Sequence, residues 1–144
     1  VDELLPEIAG VRRPPLAFGR LQGMLKGYID LVFEHDGRFY VVDYKSNHLG
    51  NRPEAYTPER LARAVAASRY DLQYMLYALA VHRYLRTRIP DYDYDRHFGG
   101  VRYLFLRGMS PENGPATGVF SARPERDLIR RFDALFAGAV GEVA

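Results

Sequence analysis

Apolar residues in this chain fall into a few patterned runs. Residues 24–33 and 38–45 are rich in Val, Ile, Leu, Phe and Tyr and read as two β-strands. Asp36 and Gly37 separate them, a pair suited to a tight two-residue hairpin turn. Beyond Pro53 and Pro58, residues 59–86 are dominated by Ala, Leu, Arg and Met and predict one long helix. "VRYLFLR" at 101–107, bracketed by Gly99, Gly100 and Gly108, predicts a third strand joining the hairpin. "VFSA" at 119–122 predicts a short edge strand. Pro124 then opens a last helix, in which Leu128, Phe132, Leu135 and Phe136 form one apolar stripe. Residues 1–20, with Pro6, Pro14 and Pro15, read as an irregular segment, and 90–98 and 109–118 as loops. The expected fold class is α/β, a mixed central sheet flanked by helices, in a single domain spanning 1–144.

The hairpin carries an anomaly. With Asp36 and Gly37 in the turn, facing residues have numbers that sum to 73, so Asp30 lies opposite Asp43 and Tyr28 opposite Lys45. The two-residue period of a strand places Asp43 and Lys45 on one face with Phe39 and Val41. Opposed carboxylates repel, and a carboxylate on an apolar face costs more still. A bound cation is the simplest compensation. A three-residue loop would shift the pairing by one and send the aspartates to opposite faces. Two readings stay open: a cation site, or a solvated sheet face on which Lys45 merely neutralises Asp43. The apolar flanks Ile29, Leu31, Val42 and Tyr44 favour strands covered on both faces.

Composition narrows the setting. Hydrophobic residues make up 47% and charged residues 26%, the proportions of a globular domain rather than a disordered one. The absence of cysteine excludes disulfides and thiolate metal sites and fits a reducing cytosol. Neither a signal peptide nor an apolar run near 18 residues is seen, so a membrane or secreted location is not expected. A net charge of +2 permits a polyanionic partner without demanding one.

The ordered set "GMLKGYIDLVF", "VVDYKSNHLG", "RYDLQYMLYALAVHRYLR" and "DYDYDRHFGGVRYLFLRG" resembles the nuclease domain of RecB-type helicase-nucleases, the exonuclease V beta subunits, within the PD-(D/E)XK or restriction-endonuclease-like superfamily. The resemblance runs from about Gly23 onward. It implies a restriction-endonuclease-like fold and a Mg²⁺-dependent exodeoxyribonuclease of the bacterial cytoplasm, acting in double-strand break repair and recombination. It matches Asp30 and Asp43 to metal-binding acids, Tyr44 to a backbone-carbonyl ligand, Lys45 to the catalytic lysine, and Gln73 and Tyr77 to the Q-x-x-x-Y motif. It implies Mg²⁺ as cofactor, with Mn²⁺ in substitution and Ca²⁺ in an inhibitory or regulatory role. The partners implied are single-stranded DNA ends, the gamma and alpha subunits of the complex, and the strand-exchange recombinase.

Spacing gives Gln73 and Tyr77 separate support, because i and i+4 share a helical face, which Tyr70, Val81 and Tyr84 extend. A core stripe has the same appearance. One departure stands out: the family carries a metal-binding histidine on a helix before the first aspartate, whereas His35, His48, His82 and His97 all follow it. The chain therefore reads as part of a longer protein lacking that helix, and the fragment alone is expected to bind metal weakly and to be inactive. Of the remaining features, "DYDYD" at 91–95 reads as an ordered, solvated connection. Arg83, Arg86 and Arg88 suit the C-terminal dipole of the long helix. Arg12, Arg13, Arg123, Arg126, Arg130 and Arg131 are candidate phosphate contacts, and the tyrosines are mostly core with some available for base stacking. The competing reading is a non-catalytic DNA-end or recombinase-docking module with a vestigial site. A glycosidase carboxylate pair is disfavoured because it has no use for the paired lysine.

Overall fold

The computed structural model describes Leu5, Ile8, residues 11–15 and residues 27–141. Strands β1 (Leu31–His35) and β2 (Arg38–Lys45) are followed by helices α1 (Pro58–Ala67), α2 (Tyr70–Arg88) and α3 (Tyr94–His97). Strands β3 (Phe98–Phe105) and β4 (Val119–Ala122) and helix α4 (Arg126–Gly141) complete the order. The four strands form one sheet in the order β1-β2-β3-β4. β2 runs parallel to β3, and the two outer pairings are antiparallel, so the sheet is mixed, as expected.

The hairpin forms in the expected register. Asp36 and Gly37 have φ of 50° and 76°, the paired positive values of a type I′ turn. Leu31 pairs with Val42 and His35 with Arg38, giving the sum of 73. The first strand is shorter than predicted. Residues 24–26 lie outside the described residues, and 27–30 are not in the ladder. The Tyr44 N–H donates to the Asp30 carboxylate at 2.9 Å, so a side chain takes the acceptor position that a strand carbonyl would otherwise fill.

Coverage differs between the two strands. Val41, Val42 and Asp43 of β2 are buried, whereas Leu31, Val32 and Phe33 of β1 are 42, 42 and 40% exposed. The expectation of strands covered on both faces therefore fails for β1, which lies at the sheet edge.

The single helix predicted for 59–86 is two helices. Arg69 between them adopts φ of 54°, a left-handed conformation that ends α1 and starts α2 afresh. The cause is electrostatic. Asp71 is fully buried, and a buried carboxylate requires cationic partners. Arg69 reaches it at 3.0 Å and Arg13 at 2.9 Å, while Arg69 also donates to the Pro14 carbonyl at 2.7 Å. The predicted phosphate contact Arg13 is thus committed to the interior. Ser68 and Arg69 have no propensity strong enough to announce the break.

The predicted loop at 90–98 contains α3, whose first turn is capped by the Asp93 side chain accepting from Arg96 N–H at 3.0 Å. β3 starts at Phe98 rather than 101, because Gly99 leaves room for the Tyr40 ring: a Cβ there would stand 2.4 Å from it. In α4, Ile129 and Phe132 are fully buried and Leu135 is exposed, so Ile129 replaces Leu135 on the inward stripe. Arg83 and Arg86 do not cap α2 but cross to Asp133 on α4.

Removing Asp71 leaves two guanidiniums facing a dry hole. Asp71→Ala is expected to lower the unfolding free energy by roughly 3 kcal/mol, measured by urea denaturation, and a loss below about 1 kcal/mol would contradict this account of the joint.

Candidate active site

At the C-terminal end of β2, strand alternation points Asp43 and Lys45 toward α2. Both are buried, at 5% and 8% exposure. Lys45 Nζ lies 2.6 Å from the Asp43 carboxylate and donates to Gln73 Oε1 at 2.7 Å. The same Gln73 oxygen accepts from the Tyr103 hydroxyl at 2.9 Å. Gln73 Nε2 donates to the Tyr77 hydroxyl at 3.1 Å, which in turn donates to the Tyr28 carbonyl at 2.7 Å. The lysine ammonium also sits over the Tyr70 ring, 3.9 Å from its centre, and 4.7 Å from the centre of the Tyr103 ring.

Asp30 completes the cluster from the exposed side. Its carboxyl lies close enough to Asp43 to push that acid's pKa up, so the two acids converge. Of the residues singled out by sequence, Asp30, Asp43, Lys45, Gln73 and Tyr77 therefore meet in one place. Tyr44 joins through its amide on Asp30, with its side chain in solvent. The histidines stay apart. His35 lies at the hairpin beside Asp36, His48 on Asn51, His82 on Tyr92 and His97 on the Asp93 backbone. Among the described residues, no three His, Cys, Asp or Glu side chains gather as a metal cage.

Tyr103 is the participant that the sequence did not single out. Its place follows from the parallel pairing of Asp43 with Tyr103, which brings it beside the acid. Nothing in a sequence states which strand will neighbour β2 or in what register. The apolar alternation of Val101, Tyr103 and Phe105 is the available sign, and it reads equally well as core.

Burial is the largest influence on Asp43 and pushes its carboxyl above the usual 3.8. Lys45 pulls it down through a hydrogen bond and its charge, and Asp30 pushes it up again. Burial followed by the Asp43 charge likewise raises Tyr77 and Tyr103, so both phenols stay protonated as donors near neutrality.

A family model described as the PD-(D/E)XK nuclease superfamily matches residues 3–143. The chain belongs to that superfamily. Its mixed four-stranded sheet with flanking helices is the fold this PD-(D/E)XK membership entails. Curated relatives include the RecBCD enzyme subunit RecB of Escherichia coli K12, 58% identical over 131 residues, which cover 91% of this chain and 11% of that protein. The RecB subunit of Haemophilus influenzae is 53% identical over 121 residues, 84% of this chain and 10% of that protein. That of Mycobacterium tuberculosis H37Rv is 47% identical over 115 residues, 76% of this chain and 10% of that protein. The PD-(D/E)XK chain thus spans about a tenth of the length of the RecB subunits it matches.

The site's donors suit a hard divalent cation. Asp30 and Asp43 offer oxygen only, the preference of Mg²⁺, and their mutual repulsion is the kind that a dication relieves. Because the folded-state pKa of Asp43 lies above the unfolded value, ionised Asp43 opposes folding. That cost is absent below 3.8 and grows as pH rises through the folded-state midpoint. In metal-free buffer, a ¹³C NMR titration of the Asp43 carboxyl is expected to show a midpoint above 3.8, which Asp30→Asn lowers.

Proposed function

We propose that this chain is a metal-dependent nuclease domain that hydrolyses phosphodiester bonds of DNA. The observation that carries the reading is the convergence of Asp30, Asp43 and Lys45, with Gln73 oriented onto the lysine. In this reading Asp30, Asp43 and the Tyr44 backbone carbonyl hold Mg²⁺. When bound there, Mg²⁺ would lower the pKa of a water and offset charge on the phosphoryl oxygens. Lys45 orients the attacking water and stabilises the developing negative charge through its ammonium. Gln73 and Tyr103 hold Lys45 at the required angle, so that little reorganisation accompanies reaction. Tyr77 anchors the Gln73 amide to the backbone of the segment leading to Asp30.

The relatives are named as RecB subunits of the RecBCD enzyme, and we infer a place in the same kind of assembly, on single-stranded DNA ends, with the alpha and gamma subunits and the strand-exchange recombinase as neighbours. Two acids without a third convergent ligand favour a second reading among the described residues, a docking module with a vestigial site. Calorimetric titration separates the two. Mn²⁺ binding that disappears in Asp43→Ala supports the nuclease, and binding unchanged by that substitution supports the docking module.

In a longer protein that extends upstream of this chain, assayed with labelled single-stranded DNA and Mg²⁺ or Mn²⁺, Lys45→Ala is expected to lower the cleavage rate by roughly 100-fold or more. Equal rates in wild type and variant would remove Lys45 from the mechanism.

A further inference from the structure

Helix α2 presents different chemistry on its two sides. Gln73 faces Lys45, whereas His82, nine positions later, lies half a turn around the helix. There α2, the connection through Tyr92 to Tyr94, and α4 enclose a polar cleft of about 290 Å³. His82 is 9% exposed, and its ring lies 5.4 Å from that of Tyr92 and 5.5 Å from that of Tyr94. Its Nδ1 shares a 2.9 Å hydrogen bond with the Tyr92 hydroxyl. Burial pushes that phenol up to about 12, against the opposing pull of Arg86, so Tyr92 keeps its proton. In the tautomer in which Tyr92 donates to Nδ1, the imidazole carries its own proton on Nε2. Buried side-chain nitrogen and oxygen atoms all have partners among the described residues, and Nε2 has none. Nε2 is therefore open to the cleft.

The walls of the cleft are cationic in excess. Arg86 projects from α2, and Arg126 and Arg130 from α4. The acids nearby are shared: Asp133 takes both Arg83 at 2.5 Å and Arg86 at 3.4 Å. Asp95 takes both Arg123 and Arg126, each at 3.2 Å. Among the described residues, Arg130 has only Asp127 as an ion-pair partner, at 3.9 Å, with both side chains largely in solvent. Asp93, on the rim, is engaged as the cap of α3. Arg126 also stands in the first turn of α4, where a helix dipole disfavours cations and favours an anion.

The geometry points to a binding site for a phosphate-type oxyanion, held by Arg86, Arg126 and Arg130 and receiving a hydrogen bond from His82 Nε2–H. Planar guanidiniums supply the paired donors that such an oxyanion accepts. The site faces away from Asp43 and Lys45 and does not rest on the nuclease reading. Burial, and after it Arg86, hold His82 below its ordinary 6.5, with Arg83 and Arg130 acting in the same sense and Asp133 opposing. Tyr92, Asp93, Tyr94 and Arg126 are the other polar groups lining the cleft. A bound anion reverses the field at the imidazole, so binding raises the His82 pKa and, reciprocally, tightens as pH falls through it.

The test is histidine-ring NMR on the ¹⁵N-labelled chain, titrated with inorganic phosphate against chloride at equal ionic strength. The expected result is a saturable shift of His82 Nε2, with exposed His48 unaffected, and an upward move of the His82 midpoint. Arg126→Gln/Arg130→Gln, at positions exposed enough to leave the fold intact, is expected to weaken phosphate binding roughly tenfold or more. A thymidine oligonucleotide without terminal phosphates identifies the source. If it displaces inorganic phosphate, the natural ligand is a nucleic-acid backbone, and if it does not, the ligand is a small free anion; either result upholds the oxyanion site. Phosphate that moves His82 no more than chloride does, or binds the double variant equally well, overturns it.

Discussion

An aspartate and a lysine two residues apart on β2, both nearly withdrawn from water, set the terms for the end of the sheet. Dehydrating two ions costs several kcal/mol each, and their attraction repays it only when the remaining donors and acceptors are also satisfied. Here the satisfaction comes from Gln73, two aromatic faces and, through Gln73, the hydroxyls of Tyr103 and Tyr77. Each of those groups comes from a different position in the chain, so one ion pair fixes where α2 and β3 must sit. Apolar residues of similar volume would serve stability as well or better. The proposed nuclease role would give these charges a chemical purpose, and burial, which pushes the Asp43 carboxyl up, is the cost of holding them there.

Sequence carried the hairpin almost completely, because an Asp-Gly turn leaves little freedom and dictates every facing pair. Asp30 stands one residue beyond the paired ladder, and its carboxylate takes the Tyr44 N–H where a strand carbonyl would stand, so the register predicted only its neighbourhood to Asp43. The break between α1 and α2 was not legible. Local propensity favours helix through residues 68–69, and it is overruled by Asp71, whose need for Arg69 and Arg13 is a contact made across 58 residues in the second case. Tyr103 was hidden for a related reason: its role is created by a strand pairing between distant segments. The exposure of β1 was misread because apolar composition does not reveal that a strand will lie at an edge.

Helix α2 is the element on which both charged regions depend. Toward the sheet it presents an amide that must dock with an ammonium, and half a turn away an imidazole under a row of arginines. A helix with such demands on opposite sides cannot carry a simple apolar stripe, and its sequence accordingly lacks one, with Tyr, His, Asp and Gln distributed around it. The polar residues that blurred its periodicity are the ones with specific partners.

The left-handed residue before α2 has a further consequence. Because it starts the helix afresh at Tyr70, it sets the rotational phase of everything downstream, Gln73 included. A single inserted or deleted residue at that joint would rotate the amide about 100° away from the lysine, while the irregular 109–118 connection leads only into β4 and imposes no comparable angular demand. Length variation in this protein should therefore be concentrated after β3 and nearly absent between the first two helices.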